Sequence, residues 1–138
     1  MHRLVYVSKA TDAVNDAKLK EITDVAIPNN KRLSITGCML YASGYFLQLL
    51  GGEKTDVMAL YHKIKKDPRH KACKILLDEA MEDSNRLYDK WFMTAFNVDK
   101  SSKFPDELKQ SIDDIVNTRD STICVHRIFI EFKKYLAN

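Results

Sequence analysis

The segment from residue 44 to residue 52 constrains the fold more than any other part of the chain. It reads Gly-Tyr-Phe-Leu-Gln-Leu-Leu-Gly-Gly, an apolar strand with a single amide at its centre. Because side chains alternate along a strand, Phe46, Gln48 and Leu50 share one face, and we expect that face to be interior. A buried amide needs hydrogen-bond partners, which main-chain groups, a hydroxyl or the polar edge of a ligand can supply. This stretch alone favours a core glutamine bonded to main chain over one that faces a ligand.

Composition narrows the class of protein. The 138 residues are enough for one domain with one core, and 45% hydrophobic with 30% charged residues is typical of a globular chain. The net charge of +3 falls short of the basic stripe that would predict a nucleic-acid partner. No apolar run reaches the length of a membrane span and no signal peptide is recognisable, so we expect a cytoplasmic protein that does not contact a membrane.

The cysteines do not predict a disulfide or a metal centre. Cys38, Cys73 and Cys124 are odd in number and widely spaced, and they form no C-x-x-C pair. No histidine lies at ligand spacing from them. We expect reduced thiols in the core and no bound metal.

Hydrophobic periodicity and turn residues predict the element order β-α-β-β-α-β-β, followed by two helices. We expect the first helix to end at Pro28, because the residue before a proline is disfavoured in the α conformation. Asn29 and Asn30 would then lie in a loop. The predicted strands span residues 2–8, 33–41, 45–50, 72–81 and 91–96, and the predicted helices span 15–27, 54–66, a segment that begins near 104 and one that begins near 120.

That order predicts an α+β fold of the ferredoxin-like type, in which the first strand lies in the sheet centre beside the third. The strand that carries Tyr6 would therefore pair with the strand that carries Gln48. Right-handed crossovers place the two early helices on one face of the sheet. Because the central strands are apolar on both faces, the other face also needs cover, and we assign it to the two C-terminal helices.

Five separated segments, in matching order, resemble the BLUF family of flavin-based blue-light sensors. The resemblance covers about residues 2–97. It implies a flavin-binding core at residues 1–97 whose two early helices clamp the flavin, and a two-helix extension at residues 98–138 on the opposite face of the sheet. The segments are Arg3-Leu-Val-Tyr6-x-Ser8; Asn30 with Ile35-Thr-Gly37-x-x-x-Tyr41; Gly44-x-Phe46-x-Gln48-x-Leu50-x-Gly52; Asp67-x-Arg69-His70; and Arg86-x-Tyr88-x-x-Trp91-x-Met93.

The resemblance implies a noncovalently bound FAD or FMN and gives roles to individual residues. Tyr6 corresponds to the tyrosine that donates an electron to the photoexcited flavin. Gln48 corresponds to the glutamine between that tyrosine and the flavin ring. Asn30 corresponds to an asparagine that hydrogen-bonds the ring carbonyl region, and Asn29 lies at a second, more variable ring-contacting position.

Six further positions follow from the same resemblance. Taken without it, Trp91 and Met93 read as ordinary core packing, and Met93 remains open between core and relay. The implied roles are apolar contacts to the flavin ring from Ile22 and Ile64, a basic pair near the flavin side chain at Arg69 and His70, and outward relay of the change by Trp91 and Met93.

The function implied is that of a photoreceptor rather than an enzyme. Light-driven electron and proton transfer from Tyr6 would rearrange the hydrogen bonds of Gln48 and signal to an unidentified partner protein, and we expect a homo-oligomer. The alternative is a ferredoxin-like regulatory or small-molecule-binding module without a chromophore. A small acylphosphatase-like hydrolase ranks third, because the sequence has no phosphate-cradling glycine loop and no nucleophile with a base at motif spacing.

Overall fold

The structure is a computed structural model that describes residues 1–12, 14–82, 93–98, 106–118 and 129–130. Five strands form one sheet in the order β4-β1-β3-β2-β5, with β2 and β5 parallel and all other neighbours antiparallel. This order confirms the predicted α+β, ferredoxin-like fold, because β1 lies between β3 and β4. The elements are β1 (His2–Ala10), α1 (Asp16–Leu33), β2 (Thr36–Ala42), β3 (Tyr45–Gly52), α2 (Lys54–Lys65), β4 (His70–Ala80), β5 (Thr94–Asn97) and α3 (Asp106–Thr118).

Each face of the sheet buries its own core. The alternation predicted for β3 is confirmed, and β1 alternates in the same way, since neighbouring residues on each strand fall into different clusters. Helices α1 and α2 cover one face, and α3 packs on the other. The first core includes Leu4, Tyr6, Met39, Phe46 and Leu50 with Leu19, Val57 and Tyr61, and the second includes Val5, Val7, Cys38, Leu47 and Leu49 with Ile112, Ile115 and Phe129.

Helix α1 does not end at Pro28 as the sequence predicted. It continues to Leu33, and a capping motif explains why the last turns form in spite of the proline. Ser34 adopts a left-handed conformation, its N–H donates to the Lys31 carbonyl at 3.2 Å, and the Ile35 N–H donates to the Asn30 carbonyl at 2.8 Å. These two bonds satisfy carbonyls at the helix end, and the buried Ile35 side chain adds apolar contact. Asn30 is therefore helical, not part of a loop.

The β2–β3 hairpin confirms its prediction and depends on two glycines. Ser43 and Gly44 form the two-residue turn with φ values of 53° and 83°, the left-handed pair that a tight hairpin requires. Gly37 lies inside β2 opposite Leu50, where a Cβ would overlap the main-chain oxygen of Leu49. The close approach of these strands therefore requires glycine at position 37.

Several predicted features lie partly or wholly outside the described residues. The fifth strand was expected from Trp91, but the described part of it begins at Thr94, and Trp91 itself is outside. The same holds for Cys124 and, apart from residues 129–130, for the last predicted helix. The division into a core of residues 1–97 and an extension of residues 98–138 stays a prediction. Within the described parts of the chain, no helix is long and apolar enough to cross a membrane.

Candidate functional site

A cleft opens between α1 and α2 above the first face of the sheet. Its empty volume is about 700 Å³, part of which is open to solvent. Helix periodicity builds both walls, because each helix presents one face to the cleft. The α1 wall consists of Ile22, Val25, Ala26, Asn29 and Asn30, and the α2 wall consists of Leu60, Lys63 and Ile64.

The cleft floor contains a buried chain of hydrogen bonds. Tyr6 and Gln48 are directly opposite on β1 and β3, and the Tyr6 hydroxyl donates to Oε1 of Gln48. Nε2 of Gln48 donates to the sulfur of Met93 at 3.0 Å. Met39 completes the floor as the partner of Gln48 on β2. The amide at the centre of β3 is thus bonded to side chains, whereas the strand pattern alone favoured main-chain partners.

Burial keeps Tyr6 a neutral phenol in the dark. The side chain is fully buried, and this burial raises the pKa of Tyr6 well above the ordinary value of 10.0, with smaller contributions from Cys73, Tyr61 and Asp67. The ring packs against Tyr61 with centroids 5.4 Å apart. A buried neutral phenol with one hydrogen-bond acceptor has a defined route for its proton.

His70 lies at the start of β4, lines the cleft and is uncharged. Burial lowers the pKa of His70 to about 4; Asp67 opposes this shift and Arg69 adds to it. Nδ1 of the imidazole lies 2.7 Å from the hydroxyl of the buried Ser8. Arg69 and His70 both line the cleft, and the lowered pKa of His70 favours its neutral form at pH 7, so Arg69 is the charged member of the two; their role beside the flavin stays a prediction.

The cleft rim, formed by Lys63, Asp67 and Arg69, carries the charges of the site. Asp67 and Arg69 form a two-pronged ion pair with Nη2 to Oδ2 at 2.6 Å, and the hydrogen bonds from Arg69 lower the pKa of Asp67 to about 2. The Asp67 carboxylate thus neutralises Arg69, and the remaining cation, Lys63, gives the rim a net positive charge. This charge suits an anionic group at the open side of the cleft.

All the described residues predicted to hold a ligand line this one cleft: Tyr6, Ile22, Asn29, Asn30, Gln48, Ile64, Arg69 and His70, together with Met93. Sequence reasoning missed six lining residues, and a pattern was available for most of them. On α1, positions 22, 25, 26, 29 and 30 share one helical face. The predicted helix ended before Pro28, so the continuation of this face to positions 29 and 30 was not recognised. On α2, positions 60, 63 and 64 share one face by the same spacing, and Asp67 follows two residues after the helix ends. The missed residues are Val25, Ala26, Met39, Leu60, Lys63 and Asp67.

The fold and the cleft define a ferredoxin-like domain with a cleft between two helices, above a tyrosine–glutamine pair. Residues 1–94 match the model of the family described as sensors of blue light using FAD. The chain belongs to this family, the BLUF family. Members of this family sense blue light with a bound flavin, which the family description gives as FAD.

Relatives with known names agree with this assignment. The photoactivated adenylate cyclase subunit alpha of Euglena gracilis is 33% identical over 107 residues, which is 76% of this chain but only 10% of the relative. A bacterial light-regulated adenylyl cyclase superposes with a TM-score of 0.77 at 34% identity, over 86% of this chain and 34% of the other. The dark-state structure of the BLUF protein BlrB has a TM-score of 0.73 at 25% identity, over 92% of both chains.

The residues of the cleft fit a flavin. Apolar side chains from two facing helices suit the two faces of a planar ring, and the amides of Asn30 and Gln48 suit the polar edge of that ring. Asn30 is only 2% exposed, yet it lines the cleft. The positive rim suits the phosphates of the flavin side chain.

Proposed function

We propose that Tyr6 and Gln48 carry the light response of this chain and that the two helix walls hold the flavin above them. The observation that supports this most is the buried hydrogen bond from Tyr6 to Oε1 of Gln48 at the floor of the cleft. Ile22 and Ile64 would contact the ring, Asn29 and Asn30 its polar edge, and Lys63 and Arg69 the phosphates. His70 would contribute an uncharged polar group.

When bound, the flavin supplies absorption of blue light and an excited state that accepts an electron. Tyr6 is the donor in this proposal, because a phenol is among the few side chains that an excited flavin can oxidise. A phenol that has lost an electron becomes strongly acidic, so its proton leaves from Oη. The proton would pass to Oε1 of Gln48, the acceptor to which the hydroxyl is already bonded, while Nε2 gives up a proton toward the flavin that holds the electron. Return of the electron and of a proton to Tyr6 would restore the dark state.

Gln48 then changes its hydrogen bonds. An amide donates through nitrogen and accepts through oxygen, so rotation or tautomerisation of Gln48 exchanges donor and acceptor positions without breaking a bond of the chain. In the dark, Nε2 donates to the sulfur of Met93. Loss of that bond would release the Met93 side chain. A shift of Met93 would then move β5, which begins at the next residue. Trp91, the other predicted relay residue, is outside the described part of the chain.

We further propose that the output surface includes α3, on the sheet face opposite the cleft. Ile112 and Ile115 of α3 pack into the second core, and the hydroxyl of Ser43 donates to Asp113 at 2.7 Å. This bond joins the β2–β3 turn to the helix, so a shift of β2 can reach α3. The related Euglena proteins are named as adenylate cyclases. For this chain we propose a protein effector of unstated class and a homo-oligomeric state.

The test is the visible absorption spectrum of the FAD-loaded protein before and after blue light. We expect the flavin band to move to longer wavelength and to return in the dark. Gln48→Ala should bind FAD but abolish the shift. Gln110→Ala is the matched control, because Gln110 is an exposed amide on α3 whose partner is Asp114. A normal shift in Gln48→Ala would refute the assigned mechanism, and failure of the wild type to retain flavin would favour the chromophore-free regulatory module.

A further inference from the structure

Ser8 and His70 form a buried polar pair that takes no part in the proposed proton transfer between Tyr6 and Gln48. Ser8 is fully buried on β1, and His70 is 8% exposed at the start of β4. Ser8 precedes by two residues Ala10, the partner of His70 in the β1–β4 register, so both side chains lie on the cleft face of the sheet. The serine oxygen lies 2.7 Å from Nδ1 of the imidazole.

The aromatic neighbours fix the plane of the imidazole. Its ring centroid lies 4.6 Å from that of Phe46, and the Tyr6 ring meets it edge-on at 6.3 Å. With Nδ1 occupied by Ser8, the remaining polar atom is Nε2, to which no group among the described residues is bonded. Because His70 lines the cleft, Nε2 is the atom it can offer to a ligand.

The buried hydroxyl decides which nitrogen carries the proton. If Nδ1 donated to Ser8, the serine hydrogen would be buried without an acceptor among the described residues, and an unpaired buried donor is costly. If the serine donates to Nδ1, both groups are satisfied and the ring proton resides on Nε2. His70 then presents an N–H donor to the cleft.

We propose that Ser8 is a positioning residue that holds neutral His70 in its Nε2–H tautomer, so that Nε2 donates a hydrogen bond to an acceptor atom of the flavin. This inference rests on the proposed flavin site and adds a residue to it. A flavin offers ring carbonyls, ring nitrogens, side-chain hydroxyls and phosphate oxygens as acceptors. A fixed neutral donor therefore suits it, and it places no charge beside Tyr6.

The first experiment uses the ¹⁵N and ¹H signals of the imidazole rings in the 138-residue chain, with and without FAD. His70→Phe identifies the His70 signals by their loss. We expect the wild type to show a single Nε2–H tautomer even without FAD, and Ser8→Ala to show a mixture of the two tautomers. An Nδ1–H tautomer in the wild type, or an unchanged tautomer in Ser8→Ala, would overturn the proposal.

The second experiment is the FAD dissociation constant in a double-mutant cycle. Ser8→Ala should weaken FAD binding about tenfold, the order expected for one oriented hydrogen bond. In a His70→Phe background the same change should have almost no effect. Thr36→Val is the matched control, because it also removes a buried hydroxyl. Thr36 lies two residues before Cys38 on β2, so both side chains point to the core on the face opposite the cleft.

The results separate this proposal from the flavin site itself. Wild-type affinity in Ser8→Ala, or an equal loss in the His70→Phe background, contradicts the positioning role while the flavin site stands. A wild-type protein that binds no FAD contradicts the proposed site, and the tautomer measured without FAD still tests the Ser8–His70 pair.

Discussion

Tyr6 and Gln48 are directly opposite on neighbouring antiparallel strands, and the phenol of the first donates to the amide oxygen of the second. Tyr6 is 0% exposed and Gln48 is 5% exposed, so water does not compete for this bond. The pair places an oxidisable group and its proton acceptor side by side at the floor of the cleft. The sheet creates this arrangement, because β1 lies beside β3 in the order β4-β1-β3-β2-β5 and their register pairs Tyr6 with Gln48.

Replacement of Tyr6 by phenylalanine should stop the photochemistry and preserve the site. The ring still fills the same space, so we expect FAD binding to change less than threefold, the scale of a single weak contact. Without the donor, the flavin excited state should last longer and its fluorescence yield should rise severalfold. Tyr61→Phe is the control, since Tyr61 packs on Tyr6 without bonding to Gln48. Equal fluorescence in the two variants would contradict the donor role.

Met93→Leu tests the acceptor that holds Gln48 in the dark. The two side chains have similar volume, so we expect a stability change below about 1.5 kcal/mol. The variant lacks the sulfur to which Nε2 of Gln48 donates, so the amide loses the bond that favours its dark orientation. The absorption shift should form, but its return in the dark should be severalfold slower. Recovery at the wild-type rate would show that Met93 is core packing alone.

His70 should make the stability of the flavin-free protein depend on pH. The folded-state pKa of His70, about 4, lies below its ordinary value of 6.5, so the unfolded chain binds a proton that the native chain does not. Stability is therefore fully present above pH 6.5 and falls as the pH is lowered toward 4. The charged groups that share its cleft are Lys63, Asp67 and Arg69, and the carboxylate among them has a pKa of about 2, below this range.

The measurement is urea unfolding at pH 7 and at pH 5. We expect the wild type to lose about 2 kcal/mol more than His70→Phe over this interval, as one proton bound only by the unfolded chain requires. An identical pH dependence in both proteins would mean that His70 is not the group responsible.

Gly37→Ala should damage the fold far more than Gly44→Ala. A Cβ at position 37 would overlap the Leu49 carbonyl oxygen, so β2 and β3 would have to separate. We expect a loss of about 3 kcal/mol or more, as for other cases of overpacking and strand disruption. At position 44 a Cβ has no neighbour within 4 Å, and only the left-handed φ of 83° opposes alanine, at about 1 kcal/mol. Thermal unfolding of the two variants gives the comparison.

Local patterns were sufficient to predict much of this molecule. Strand alternation placed Gln48 on an interior face with Phe46 and Leu50, and the element order predicted that the strand with Tyr6 would be its neighbour. The family resemblance gave roles to residues that the structure brings together where it describes them, although Asn29 and Asn30 lie on α1 and not in the predicted loop; the roles themselves stay predictions. These residues line a single cleft.

What the sequence did not predict depends on contacts between distant residues. Pro28 disfavours a helix locally, but the cap at Ser34 and the burial of Ile35 outweigh it. The neutral state of His70 follows from burial against Phe46 and Ser8, residues more than twenty positions away. Such effects arise from the assembled core, and no window of neighbouring residues contains them.

The most direct test of the mechanism is the light-minus-dark infrared difference spectrum of the FAD-loaded protein. The account predicts that the ring carbonyl band moves to lower frequency on illumination in the wild type, because Gln48 then gives that carbonyl a stronger hydrogen bond. The band should not move in Gln48→Ala. A carbonyl shift of wild-type size in Gln48→Ala would contradict the claim that the light-induced state consists of changed hydrogen bonds of this glutamine.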